Sequence, residues 1–187
     1  VLVGRHDQPG AIVALEVNLS CPNLAGKSMF AHDAPAAAQV MAATAVAGLP
    51  RWAKLSPNTD RLVQVAAACA EAGADAVTLT NTLLGLVIDI ETRRPVLGGG
   101  GGGVSGPGMG PIAVRAVWDV ARALPQLPII GAGGVCDADS AIQLLMAGAS
   151  AVQVGTATFA DPRAPQRVLD DLTRWCHDHG VTSVAEL

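Results

Sequence analysis

Five short apolar runs, each ending on small or polar residues, constrain this chain more than any other feature. They close on Ser20-Cys21, Ser56, Asn81-Thr82, Gly133-Gly134 and Gly155-Thr156. Helical stretches lie between them. Outside one long connection, successive runs are roughly 25 residues apart, the repeat of single strand–helix units in a parallel sheet. In a βα barrel such strand ends gather on one face, and that face carries the chemistry. A doubly wound sheet is the alternative. It lacks its fingerprint here: no G-x-G-x-x-G follows a first strand, and Gly131-Ala132-Gly133-Gly134 is only a partial echo.

The runs predict strands over Ile12–Leu19, Trp52–Leu55, Ala74–Asn81, Pro128–Val135 and Ala149–Val154. Helices are expected from Asp33-Ala34-Pro35 to about Ala47, over Leu62–Ala72 capped by Asp60, over Pro111–Leu124, after Asp137 or Asp139 to Gly148, and over Pro165–Asp178. The tail from Val181 is expected to dock on the barrel floor. The long connection, Leu83–Gly110, holds Asp89, Arg93, Arg94 and six consecutive glycines, Gly98 to Gly103. A connection of this length without regular structure is functional or disordered. The glycines leave open whether it is mobile or bends close to a neighbour.

Composition narrows the function classes. Of 187 residues, 50% are hydrophobic and only 15% charged, the make-up of packed α/β layers in one domain. A formal charge of −4 supplies no basic footprint for nucleic acid. No apolar run reaches the roughly 18 residues of a membrane span, and Val1–Gly10 lacks the order of a signal peptide. Four cysteines, Cys21, Cys69, Cys136 and Cys176, form no C-x-x-C pair, which speaks against a metal knuckle or iron–sulfur set in this chain and for a reducing, cytoplasmic setting. Cys69 and Cys176 read as core or helix filler. His6, His32, His177 and His179 read as surface or loop residues. Gly26-Lys27-Ser28 is not a phosphate loop, because the required upstream Gly is missing.

The most reactive stretch is Asn18-Leu19-Ser20-Cys21-Pro22-Asn23, which crowds amide, hydroxyl and thiol groups onto a strand end. Lys54 places a charge inside a short apolar strand, which is costly unless it meets an anion or lines a site. Taken singly, each feature has a plainer meaning. Cys21 suits a buried structural thiol, Lys54 an edge-strand residue, Asn81-Thr82 a helix cap, and the glycine pairs ordinary βα turns. They gain weight as a set.

As a set, Asn18 to Asn23, Lys54-Leu55-Ser56-Pro57-Asn58, Thr80-Asn81-Thr82, Ser105-Gly106-Pro107, Ile130 to Gly134 and Val154-Gly155-Thr156 come in the order seen in dihydroorotate dehydrogenases. The chain resembles that family from about Val13 to its end, and most resembles its class 1, NAD-linked (1B) branch. The resemblance implies the C-terminal portion, strands four to eight, of a (β/α)8 TIM barrel, with residues 1–187 as a single domain. It implies oxidation of (S)-dihydroorotate to orotate in pyrimidine biosynthesis, with hydride transfer to FMN. Cys21 would be the base. Asn18, Asn23, Asn81 and Thr82 would bind substrate. Asn18, Lys54, Thr80, Gly106, Gly133, Gly134, Gly155 and Thr156 would hold the cofactor, with no metal.

The resemblance further implies a homodimer or heterotetramer with an electron-transfer subunit carrying FAD and a [2Fe–2S] cluster, and NAD+ as final acceptor. The family's first three strands are absent from this sequence, so the polypeptide alone is expected to be inactive or weakly folded. Competing expectations are a dihydropyrimidine dehydrogenase-like flavin domain, in which His tends to follow Cys-Pro where Asn23 stands here, and a non-catalytic phosphate-binding half-barrel.

Overall fold

The computed structural model describes residues 12–21 and 29–187. Among the described residues, the first strand, β1 (Leu15–Asn18), is followed by a 3₁₀ turn at Phe30–His32 and then by α1 (Ala34–Ala43). Asp33 caps α1, accepting the Ala36 N–H at 2.8 Å, and Pro35 occupies the first turn, where its missing N–H costs nothing. A 3₁₀ turn, Thr44–Ala47, prolongs the helix to Gly48, whose φ of +63° ends it. Then come β2 (Arg51–Lys54), α2 (Leu62–Glu71) and β3 (Ala76–Leu79). Asp60 does not cap α2; its first residues follow a turn in which Thr59 Oγ1 accepts the Arg61 N–H.

The connection expected to be structureless is instead a pair of small antiparallel ribbons. In one, β4 (Leu83–Gly85) pairs with β7 (Gly102–Val104); in the other, β5 (Ile88–Asp89) pairs with β6 (Arg94–Pro95). The glycine run resolves into two halves. Gly98 and Gly99 have open space around them, while a Cβ on Gly101, Gly102 or Gly103 would run into Gly85 O, Leu97 or Thr82. Asn58 pins the base of this excursion, donating to Thr82 O at 2.9 Å and accepting the Leu84 N–H at 2.8 Å.

The chain returns through α3 (Gly110–Ala123), β8 (Ile129–Ala132), α4 (Ala138–Met146), β9 (Ala151–Gln153), a short α5 (Ala157–Ala160) and α6 (Ala164–Asp178). Buried Ala113, Ala116, Val117 and Val120 give α3 its i, i+3, i+4, i+7 stripe. Asp137, not Asp139, caps α4 in a reciprocal capping box with Ser140. The tail ends in a 3₁₀ turn at Val184–Glu186, and Leu187 packs against the core.

The main sheet is parallel throughout, in the order β1-β2-β3-β8-β9. That order follows the chain, so the sheet has no switch point, and the doubly wound alternative is excluded. The helices α1, α2, α3, α4 and α6 contact one another in sequence, as one layer on one side of the sheet. This is the architecture of part of a βα barrel, and β1 and β9 are the edges of the described sheet.

Strand alternation separates two faces. Val17, Ala53, Leu55, Val77, Leu79 and Ile129 join the apolar core with Met41, Val65, Val117 and Leu144 from the helices. Each fully buried Val, Leu, Ile or Met side chain among them contributes roughly 1.5–3 kcal/mol. The opposite, concave face carries Glu16, Asn18, Lys54 and Thr78 and leads to the strand tips. His32 lies half-buried in the connecting 3₁₀ turn, with Nε2 enclosed and without a partner among the described residues. Asn81 and Thr82 precede a strand rather than capping a helix.

Candidate functional site

A cavity of about 420 Å³ opens at the carboxyl ends of the strands. Lys54, from the end of β2, and Thr80, Asn81 and Thr82, after β3, line one side of it. Gly133 and Gly134, at the exit of β8, and Gly155 and Thr156, after β9, line the other. Gly106 reaches it from the end of the ribbon excursion, beside buried Met109. Strands widely spaced in sequence thus bring nine of the expected residues to one hollow.

The glycines are there for geometric reasons. Gly134 has φ +81°, and a Cβ on it would overlap the backbone of Gly110 at the start of α3. Gly133 has φ +118°, and Gly106 has φ +92°. All three conformations disfavour any residue with a side chain. The result is bare backbone at the exit of β8, next to the equally bare Gly155, whose missing side chain faces open space. Such a surface lets peptide N–H groups approach an anion closely.

Thr80 supplies a second sign that the hollow receives a polar ligand. Its Oγ1 is buried and has no hydrogen-bond partner among the described residues. A buried hydroxyl left unpaired costs about 1–3 kcal/mol, which a partner from outside the chain would relieve. Its backbone N–H is already used, donating to Ala132 O at 2.6 Å. The Leu79–Thr80 peptide beside it is cis.

Asn18 and Cys21 stand apart from the cavity lining. Asn18, near the tip of β1, faces Lys54 in register. Its Oδ1 accepts from Ser20 N–H at 3.2 Å, Ser20 Oγ at 3.1 Å and Asn81 Nδ2 at 3.2 Å, which ties it to a residue that does line the cavity. Cys21 follows directly as a half-buried free thiol. Asn23, like His6 and the Gly26-Lys27-Ser28 segment, lies outside the described residues.

The concave face below the hollow holds a polar group that sequence reasoning does not single out. Glu16 Oε2 accepts from Thr78 Oγ1 at 2.7 Å and from Gln153 Nε2 at 2.8 Å, while Oε1 stands 3.9 Å from Lys54 Nζ. Lys54 therefore does meet an anion, as its place in an apolar strand requires. The signal is present in the period of two: Glu16 shares its face with Asn18, and Gln153 is the polar residue of an apolar run. Cys136, Asp161 and Arg167 also border the cavity. Burial, reinforced by the Asp137 carboxylate, pushes the Cys136 thiol up, and Arg167 Nε sits 3.4 Å from Asp161 Oδ2. Among the described residues no cluster of side chains could hold a metal ion, and no helix is long and apolar enough to cross a membrane.

Comparison with known proteins places this hollow in context. The sequence profile of the family described as "Dihydroorotate dehydrogenase" matches residues 8–175. The chain is 48% identical to the dihydroorotate dehydrogenase B (NAD(+)), catalytic subunit, of Pelobacter propionicus, over 100% of this chain and 62% of the relative. It is 45% identical to the protein of the same description from Trichlorobacter lovleyi, with the same coverage, 100% and 62%. The chain thus spans about three-fifths of the length of these relatives. Among solved structures, DHODH from Eimeria tenella, in complex with ferulenol, superposes with a TM-score of 0.76 at 24% identity, over 93% of this chain and 52% of that one. At that identity the likeness bears on the fold alone.

Proposed function

The chain belongs to the dihydroorotate dehydrogenase family, and from that membership we propose that the protein it forms part of oxidises (S)-dihydroorotate to orotate in pyrimidine biosynthesis. In this proposal residues 1–187 are one domain, the C-terminal portion of the barrel. The cofactor is FMN, and the observation that carries the proposal is the hollow that would take it. A Thr80 hydroxyl without a partner among the described residues, a lysine, and side-chain-free backbone at Gly133, Gly134 and Gly155 converge there. These groups suit a flat polar ring system joined to a phosphate.

The roles divide by chemistry. Gly133, Gly134, Gly155 and Thr156 offer backbone to the phosphate, and Gly106 gives access from the excursion side. Thr80 offers its hydroxyl to the ring. Lys54 sets a fixed positive charge beside it. Asn18, Asn81, Thr82 and, beyond the described residues, Asn23 orient the substrate through amide and hydroxyl groups that add no charge. Cys21 Sγ, as thiolate, takes the proton from substrate C5; the C5–H electron pair becomes the new C5–C6 double bond. The flavin, when bound, supplies the acceptor for the hydride that leaves C6.

The relatives' description as NAD(+) catalytic subunits supports a separate electron-transfer subunit and NAD+ as final acceptor; the proposal extends to FAD and a [2Fe–2S] cluster on that subunit, a homodimeric or heterotetrameric assembly and a cytoplasmic location. The test is direct. The purified full-length protein should carry yellow flavin, released as FMN on denaturation, and should convert dihydroorotate to orotate, followed by the product's ultraviolet absorbance. Turnover of dihydrouracil in its place would instead indicate a dihydropyrimidine dehydrogenase, and absence of flavin a phosphate-binding half-barrel.

A further inference from the structure

We propose that Glu16 is a positioning residue that holds the Lys54 ammonium at the hollow, a role resting on the flavin reading above. The residues come from separate strands of the concave face: Glu16 from β1, Lys54 from β2, Thr78 from β3 and Gln153 from β9. Lys54 lies in register with Asn18 on one side and with Thr78 on the other. Glu16 therefore sits one step earlier along the concave face than Lys54, and it is Lys54 that lines the cavity.

The two partners are held unequally, and this gives the pair a direction. Glu16 Oε2 is clamped by Thr78 Oγ1 at 2.7 Å and Gln153 Nε2 at 2.8 Å. Thr78 is fully buried, with 0% exposure, and its β-branched side chain is stiff. The lysine stem is flexible along four carbons. Among the described residues Glu16 carries the one carboxylate within ion-pair reach of Nζ. The carboxylate is thus the fixed end and the ammonium the end it fixes.

The separation matters as much as the pairing. At 3.9 Å the contact is too long for a hydrogen bond but still attracts strongly in a partly desolvated site. Lys54 is steered without committing an N–H to Glu16, so its donors stay available to a ligand in the cavity. A carboxylate about 1 Å closer would claim one of them. Gln153 lines the cavity as well, so the clamp is continuous with the wall it supports.

The experiment is a double-mutant cycle on the full-length protein, read by the FMN dissociation constant and by the midpoint potential of the bound flavin. Glu16→Gln should weaken FMN binding by about fivefold or more, within the range of coupling between contacting residues. It should also move the potential to more negative values, because the cation that favours the reduced, anionic flavin is no longer held in place. In a Lys54→Met background both changes should disappear. Thr78→Val, which loosens the clamp without altering any charge, should move both readouts in the same direction by less.

Equal changes in the two backgrounds would overturn the proposal, as would a potential that rises in Glu16→Gln, the sign of a direct charge effect. Thr78→Val leaving both readouts unmoved would also overturn it, and this variant decides the matter if Glu16→Gln fails to fold. Wild-type protein that binds no flavin would remove the flavin reading and this proposal together. Flavin bound without coupling removes this proposal alone.

Discussion

Asn81 and Ser20 lock the tips of β3 and β1 together: Asn81 Nδ2 donates to Ser20 Oγ at 2.8 Å and lies 3.2 Å from the Ser20 carbonyl oxygen. Cys21 is the next residue, so the placement of its thiol depends on an amide that lines the cavity. Ser20 is buried, and its single hydroxyl proton has Asn18 Oδ1 at 3.1 Å and Lys54 O at 3.3 Å as alternative acceptors, which leaves the tip little freedom.

Asn81→Ala removes that lock. The lost hydrogen bonds to Ser20 and Asn18 should lower stability by about 0.5–1.5 kcal/mol, since the Ser20 hydroxyl keeps Asn18 Oδ1 and Lys54 O as acceptors. Activity should fall further than stability explains, because the thiol and the substrate amide contact are displaced at once. Thermal melts and a KM-against-kcat comparison on the full-length protein check this. A variant with wild-type kcat and a lowered melting point would assign Asn81 to scaffolding only.

Gly134→Ala and Gly155→Ala separate backbone strain from ligand space. An alanine at Gly134 must hold φ +81° and would overlap Gly110, so a loss of at least about 2 kcal/mol is expected. At Gly155 nothing stands within 4 Å of an added Cβ. Gly155→Ala should therefore fold and melt as wild type while binding FMN less tightly, because the methyl group occupies the space offered to the phosphate. Melting temperature and flavin content, measured on both variants, distinguish the two effects.

The strand tips are legible in the sequence because polar or glycine residues terminate apolar runs, a pattern that rarely arises away from the exit of a buried strand. Sequential βα order follows from spacing. Strand lengths are overestimated: Ile12–Leu19 shrinks to Leu15–Asn18 and Ala74–Asn81 to Ala76–Leu79. A run can be extended and apolar beyond the stretch where a neighbour offers it a ladder. The glycine-rich connection is misjudged because its order comes from close backbone approach, as at Gly101 to Gly103, which a sequence of glycines cannot display. The period of two puts Glu16 on the face of Asn18, but the joining of Glu16, Gln153 and Thr78 is not legible in the sequence, because it lies in contacts across the concave face. Glu16 and Gln153 are 137 residues apart. The hollow as a meeting place is readable from the strand ends; that Cys21 stands outside its lining is not.

The cysteines should differ sharply in reactivity. Burial pushes the Cys69 thiol up to about 11, so near neutral pH it is almost wholly protonated and unreactive. Cys21 and Cys176 are half-buried. Iodoacetamide at about pH 8, near the ordinary thiol range, should alkylate Cys21 and spare Cys69, and orotate should protect Cys21 but not Cys176. Peptide mass spectrometry reads each site. Cys21→Ala should retain flavin and lose turnover by about 10²–10⁴-fold, the usual worth of a positioned base. Labelling of Cys21 that orotate leaves unchanged would count against its place in the reaction.

Asp137 ties the stability of the cavity wall to pH. The Ser140 hydroxyl, then its backbone N–H, hold the Asp137 carboxyl below the usual carboxylate range. A carboxyl lowered in the folded state stabilises fully above its unfolded pKa, roughly 3.9. That stability is lost as pH falls through the still lower folded value. Asp137→Ala should therefore cost about 1 kcal/mol at pH 7, or about 2–4 °C of melting temperature. The gap from wild type should narrow below about pH 4 as the wild-type carboxylate is itself protonated. The helix at stake is α4, whose Ala141, Ile142, Leu144 and Leu145 pack inward while its cap follows Gly134, Val135 and Cys136 directly. Fraying of its first turn should reach the Gly133–Gly134 wall of the hollow, the proposed phosphate site, before it reaches the core. FMN affinity of Asp137→Ala should accordingly drop by a few-fold at pH 7, the equivalent of about 1 kcal/mol at most, whereas the buried face of α4 stays protected in hydrogen exchange. Exchange that quickens evenly along α4, with flavin affinity unchanged, would show the cap serving the helix alone.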